Sequence, residues 1–115
     1  MYESILRKED HDEKIGFTSQ LCHVVASAMV ESAEDPSITS FGGGSFEDLT
    51  RIAMINAPLW TELFLSNKVA LLKHIKSFIS KMQEFETLIQ NEDAQQLEDL
   101  LKDVRKKRIE MNELK

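Results

Sequence analysis

The chain has 115 residues, the length of a single domain, and a chain of this size buries about 60 to 70% of the surface that its unfolded form exposes. With 42% hydrophobic and 30% charged residues it is too apolar for a disordered segment, and no apolar run reaches the ~20 residues of a membrane span. A net charge of −6 excludes a nucleic-acid surface, because phosphate binding requires lysines and arginines clustered without interspersed acids.

No signal peptide opens the sequence, and Cys22 is the only cysteine, which rules out an intrachain disulfide or a cysteine-based zinc site. A cytoplasmic setting is expected, with no membrane or nucleic-acid partner. From about Ser4 to Ala33 there is no proline and a single glycine, Gly16, so one long helix is predicted. Its second half carries Ile15, Phe17, Leu21, Val24, Val25, Ala28, Met29 and Val30 over more than one face. A small monomer does not bury so wide an apolar surface, and a second copy of the chain is the simple remedy.

Asp35-Pro36 ends that region, and a loop leads to Gly42-Gly43-Gly44. Ser45 reads as an N-cap, with Asp48 three residues later, and a short helix is predicted from Phe46 to about Ile55. Asn56-Ala57-Pro58 breaks it and starts another helix through Trp60, Leu63 and Phe64, with a bend expected at Ser66-Asn67. Val69, Leu72, Ile75, Phe78, Ile79, Met82, Phe85 and Ile89 then recur at spacings of three and four, the pattern of a long amphipathic helix. Asn91-Glu92-Asp93 is the next break, and Leu97, Leu100, Leu101, Val104 and Met111 mark a last helix with a charged outer face. Its basic cluster, Arg105 to Arg108, suits a solvated helix C-terminus. No strand pattern competes, so the expected fold is all-α: a helical bundle over residues 1–115, forming an interleaved two-fold dimer and containing no Rossmann domain.

Three blocks in this order resemble the C-terminal helical dimerisation domain of prephenate dehydrogenase. His11-Asp12 and then Ser19-Gln20-Leu21-Cys22-His23 resemble a His-Asp and Ser-His-Leu-Pro-His pattern, with Gln20 and Cys22 standing where that pattern has histidine and proline. Gly42 to Ala53 is similar to a glycine-rich stretch running into Phe-x-Asp-x-Thr-Arg-Ile-Ala. Pro58-Leu59-Trp60 followed by Phe64 to Lys68 resembles Pro-x-Met-Trp-x-Asp-Ile-Phe-x-x-Asn-Lys. The second block is the most specific, since it joins a glycine run to an arginine nine residues before a tryptophan.

The resemblance implies the dimerising and prephenate-binding part of an oxidoreductase of tyrosine biosynthesis, which oxidatively decarboxylates prephenate to 4-hydroxyphenylpyruvate. In such enzymes a separate Rossmann domain binds NAD or NADP and carries a catalytic histidine. Gly42 to Gly44 follow no predicted strand and are not a dinucleotide fingerprint. This chain alone is therefore expected to bind no cofactor, to hold no catalytic residue, and to be inactive without a nucleotide-binding domain. Prephenate and tyrosine are the ligands the resemblance implies, with a homodimer as the assembly.

Arg51 is assigned by the resemblance to a substrate carboxylate, which a guanidinium holds by paired charge-assisted hydrogen bonds. Its plainer reading is an ion pair with Glu47 one turn earlier. Trp60 either lines the pocket, reaching across from the dimer partner, or packs in the core beside Leu59, Leu63 and Phe64. For His23 the alternatives are a ligand contact and a buried histidine satisfied by a backbone acceptor. Ser19 shares that pocket or bonds a backbone carbonyl, and Gly44 lets a backbone amide approach substrate or belongs to a plain loop. His11 is read as structural and His74 as lying on the exposed side of its helix. His11 and His23 stand three turns apart with no carboxylate at ligand spacing, so no metal site is expected. The rival reading is a non-catalytic helical dimerisation module that has lost ligand binding. A chorismate-mutase-like enzyme ranks below both, since Arg7 and Arg105 lie outside the central pattern.

Overall fold

The computed structural model describes residues 8–114, and among these it is all-α, without a strand. The expected helix start at Ser4 and Arg7 lie outside the described residues. Helix α1 (Lys8–Ile15) runs through a wider π-helical segment, Gly16–Leu21, into α2 (Cys22–Glu31). A π turn spreads each hydrogen bond over one more residue than an α turn and so frees carbonyls for other donors. Here they are taken in order. The Asp12 carbonyl accepts from Asn67 Nδ2 at 2.9 Å, the Glu13 carbonyl from His74 Nε2 at 2.9 Å, and the Lys14 carbonyl from Thr18 Oγ1 at 2.8 Å.

Asp35 caps a 3-10 turn, Pro36–Ser40, by accepting from the Ser37 amide, so the expected loop has one ordered turn in it. Of the three glycines, Gly42 alone has the left-handed backbone, at φ +83°. Helix α3 (Ser45–Thr50) follows and tightens into a 3-10 turn at Arg51–Ala53. Two expectations are corrected here. Gly44, not Ser45, occupies the N-cap, and the α-helix stops at Thr50 instead of continuing to Ile55, where a 3-10 turn replaces it. Helix α4 (Ala57–Ser66) starts as predicted, with Asn56 Oδ1 accepting from the Leu59 amide at 3.1 Å and Pro58 in the first turn. Asn67 makes the expected bend, and α5 (Lys68–Gln90) and α6 (Ala94–Glu113) complete the chain.

Backbone contacts divide the chain into two compact units, meeting between Ile75 and Lys76. In the first, the helix containing the π segment lies against α4 and the opening turns of α5. Gly16 permits that approach: a Cβ there would sit 3.2 Å from Asn67 Nδ2 and 3.2 Å from His74 Cδ2. Its buried apolar core is small, Leu21, Ala26 and Leu71. The second unit holds the remainder of α5, the turn Asn91–Asp93 and α6. Its turn is a Schellman motif: the Asp93 amide donates to the Leu88 carbonyl and the Glu92 amide to the Ile89 carbonyl, with Glu92 at φ 52°. Asp93 then caps α6 by accepting from the Gln96 amide.

The long apolar stripe read along α5 is present as one helix, yet it does not close on its own chain. Val69, Leu72, Ile79, Met82 and Ile89 are all exposed, Val69 at 86%. Leu71, between the stripe positions, is the residue that is buried.

Candidate functional site

His23 and Trp60 are brought together from α2 and α4. Their rings stack with centroids 3.8 Å apart and planes inclined by 20°, and the ring of Phe64, one turn on from Trp60, lies tilted by 60° with its centroid 5.8 Å from that of Trp60. Both His23 and Trp60 are half-buried, so the stack presents an edge outward. His23 Nδ1 lies 2.8 Å from the Ser19 carbonyl. A carbonyl only accepts, so Nδ1 carries the proton and neutral His23 keeps its Nε2 lone pair free. Among the described residues nothing bonds that Nε2. Ser19 thus takes part through its backbone, and the backbone acceptor of the plainer reading coexists with a second ring nitrogen open to a ligand.

Arg51 sits on the 3-10 turn that packs against α2, the helix of His23. It is exposed, and among the described residues it forms no ion pair: the expected partner Glu47, one turn back, does not engage it. A guanidinium without a carboxylate beside it is free to take one from a ligand. Gly44 heads α3, exposed, with only Asp48 Oδ2 near the place of a missing Cβ, at 3.9 Å. No contact joins it to Arg51, His23 or Trp60 among the described residues.

His11 is exposed, 3.7 Å from the Asp12 carboxylate. The expectation for His74 is corrected. Its side chain is only 13% exposed, its Nε2 donates to the Glu13 carbonyl, and Phe17 meets its ring edge-on at 5.4 Å. The Glu13 carboxylate beside it is held below its ordinary pKa, chiefly by its hydrogen bond with Lys73. One further residue was not anticipated. Gln20 is buried at 6% exposure and hydrogen-bonded to Asn67, within the same helix crossing that carries the His23–Trp60 stack. The available signal was a polar residue, one turn after Gly16, on an otherwise apolar helical face.

The glycine run lacks the strand–turn–helix setting of a dinucleotide fingerprint. It follows a bend at Phe41 and leads into a six-residue helix, and among the described residues no strand precedes it. Nor is any described helix long and apolar enough to cross a membrane.

Fold and site together define a helical domain with an imidazole–indole stack between α2 and α4, an arginine on a turn packed against α2, and exposed apolar side chains among the described residues. A family model described as prephenate dehydrogenase, dimerization domain, matches residues 7–103. The chain belongs to the prephenate dehydrogenase dimerization-domain family. It is 32% identical over 107 residues to a prephenate dehydrogenase of Lactococcus lactis subsp. cremoris, covering 89% of this chain and 30% of that protein. It is 30% identical over 112 residues to a cyclohexadienyl dehydrogenase of Zymomonas mobilis subsp. mobilis, covering 92% and 38%. Among solved structures, the prephenate dehydrogenase from A. aeolicus in complex with hydroxyphenyl propionate and NAD+ matches with a TM-score of 0.82 and 34% identity, over 92% of this chain and 39% of that one. The chain thus spans well under half the length of each of these relatives.

Proposed function

We propose that this chain is the dimerising and substrate-carboxylate-binding part of a prephenate dehydrogenase, and that residues 1–115 serve together as one domain. The observation that carries the reading is Arg51, without an ion pair among the described residues, on a turn packed against the helix of His23, whose Nε2 has no partner among those residues and whose ring stacks on Trp60. Arg51 holds one carboxylate of the substrate, Trp60 offers the apolar edge of its indole to the six-membered ring, and His23 Nε2 accepts from a polar substituent. Ser19 fixes the imidazole through its carbonyl, and Gly44 leaves room for a ligand to approach the backbone. The A. aeolicus relative supports this ligand class, since hydroxyphenyl propionate also joins a carboxylate to a six-membered ring.

NAD or NADP supplies the hydride acceptor of the complete enzyme. None of the residues described fits that group, so the nucleotide site belongs to a separate domain and the 115 residues alone reduce no cofactor. A homodimer is the proposed assembly and the cytoplasm its proposed location, with tyrosine as a second candidate ligand. The alternative, a dimerisation module without ligand binding, is favoured by one observation: Gln20, in place of the histidine of the resembling pattern, is spent on an internal hydrogen bond.

Calorimetric titration with prephenate and with hydroxyphenyl propionate separates the two. Saturable binding is expected for the wild-type protein, and Arg51→Ala is expected to weaken it by about 10- to 100-fold, since hydrogen bonds to charged groups are worth about 1.5–3 kcal/mol. Equal affinity in wild type and variant would overturn the assignment of Arg51, and no binding of either ligand would leave only the module reading.

A further inference from the structure

The crossing that carries the His23–Trp60 stack is held one turn away by a pair of amides, Gln20 buried and Asn67 half-buried. Asn67 Nδ2 donates to the Asp12 carbonyl at 2.9 Å and to Gln20 Oε1 at 2.8 Å, and Gln20 Nε2 donates to the Leu63 carbonyl at 3.4 Å. Every orientation in this chain is dictated by a backbone group. The Asp12 carbonyl can only accept, so Asn67 must turn its NH2 towards it, and the second hydrogen of that NH2 reaches Gln20 Oε1. This in turn directs the Gln20 NH2 to Leu63. Flipping either amide would set buried acceptors against each other.

The sequence spacing makes the arrangement more than a structural bond. Gln20 precedes His23 by three residues on one helix, and Leu63 follows Trp60 by three on the other. The amide chain and the ring stack therefore join the same two helices at points one turn apart. The π segment aids this, since it frees the Asp12 carbonyl that anchors Asn67. A stack at 3.8 Å tolerates little sliding, so whatever fixes the crossing fixes which way the free Nε2 of His23 is presented.

We propose that Gln20 and Asn67 are positioning residues, an amide clamp that sets the register of the two helices so that His23 stacks on Trp60 with its Nε2 open to the ligand. The role in ligand binding rests on the reading given above; the positioning of the stack does not.

The test uses proton NMR of the unliganded full chain. Trp60 is the only tryptophan, so its ring current displaces the carbon-bound ring protons of His23 upfield, and loss of a signal in His23→Asn identifies them. Asn67→Leu and Gln20→Met are expected to keep the helical circular dichroism spectrum while losing most of that upfield displacement. Trp60→Leu marks the value with the displacement fully lost. An unchanged displacement in either folded clamp variant would overturn the proposal, as would a wild-type protein whose His23 signals match those of Trp60→Leu. If both clamp variants fail to fold, the pair is a folding element and not a positioning device, and the proposal also falls. Because no ligand is present, failure of the calorimetric titration would sink carboxylate binding and leave the clamp intact, and an undisplaced spectrum would do the reverse.

Discussion

Gly16 lies at a close approach between the two sides of the site's scaffold. A methyl group at this position meets Asn67 Nδ2 and His74 Cδ2, each at 3.2 Å. Neither neighbour is free to withdraw, because Asn67 Nδ2 holds two hydrogen bonds and His74 holds the Glu13 carbonyl. Alanine is the better helix former by about 1 kcal/mol, and overpacking a tight contact costs about 1–3 kcal/mol. Gly16→Ala is therefore expected to lower stability by up to about 2 kcal/mol, read as a reduced urea midpoint with unchanged slope. A midpoint at or above that of the wild type would mean that the helices separate without loss. Motifs drew attention to Arg51, Trp60 and His23, and the structure stacks His23 on Trp60 within one chain, a contact that the motifs did not specify. His74 was misjudged and the role of Gln20 went unseen because their partners lie 61 and 47 residues away in the chain, where helical periodicity carries no information.

At the scale of elements, the breaks were the most readable feature. Proline, asparagine and aspartate act locally, and Asn56, Pro58 and Asp93 stand at the helix starts where their chemistry puts them. The π segment was not readable, since its sequence, Gly16 to Leu21, has no breaker beyond one glycine and the carbonyls it frees are taken by the distant side chains of Asn67 and His74. The α3 boundary shifted by one position because Gly44 adopts the N-cap and Ser45 enters the first turn. The turn before α6 yields a prediction of its own. Glu92 holds the left-handed position of a Schellman motif at φ 52°, where a side chain costs about 1–2 kcal/mol and glycine nothing. Glycine gives back about 0.4–1 kcal/mol through the freer unfolded chain. Glu92→Gly should raise the thermal midpoint modestly, and a fall would show that the Glu92 side chain makes a contact worth more than the strain.

At the scale of the molecule, the sequence already held more apolar surface than one small chain can bury, and the structure locates it. In the first unit Phe41, Met54, Leu65 and Val69 are exposed; in the second Ile79, Met82, Leu101, Val104 and Met111 are. These last recur at helical spacings, so they form continuous faces and not scattered single residues, and a continuous exposed apolar face marks an interaction surface. A second copy of the chain is the occupant that membership of a dimerization-domain family favours. What the sequence could not supply was which side of α5 stays open, because a periodic stripe does not say whether its partner is intramolecular. The most direct measurement is the mass of the purified protein by light scattering across a range of micromolar concentrations. A single species at twice the 13.2 kDa chain mass is the expected result. A folded, helical protein at the mass of one chain throughout that range would contradict the account.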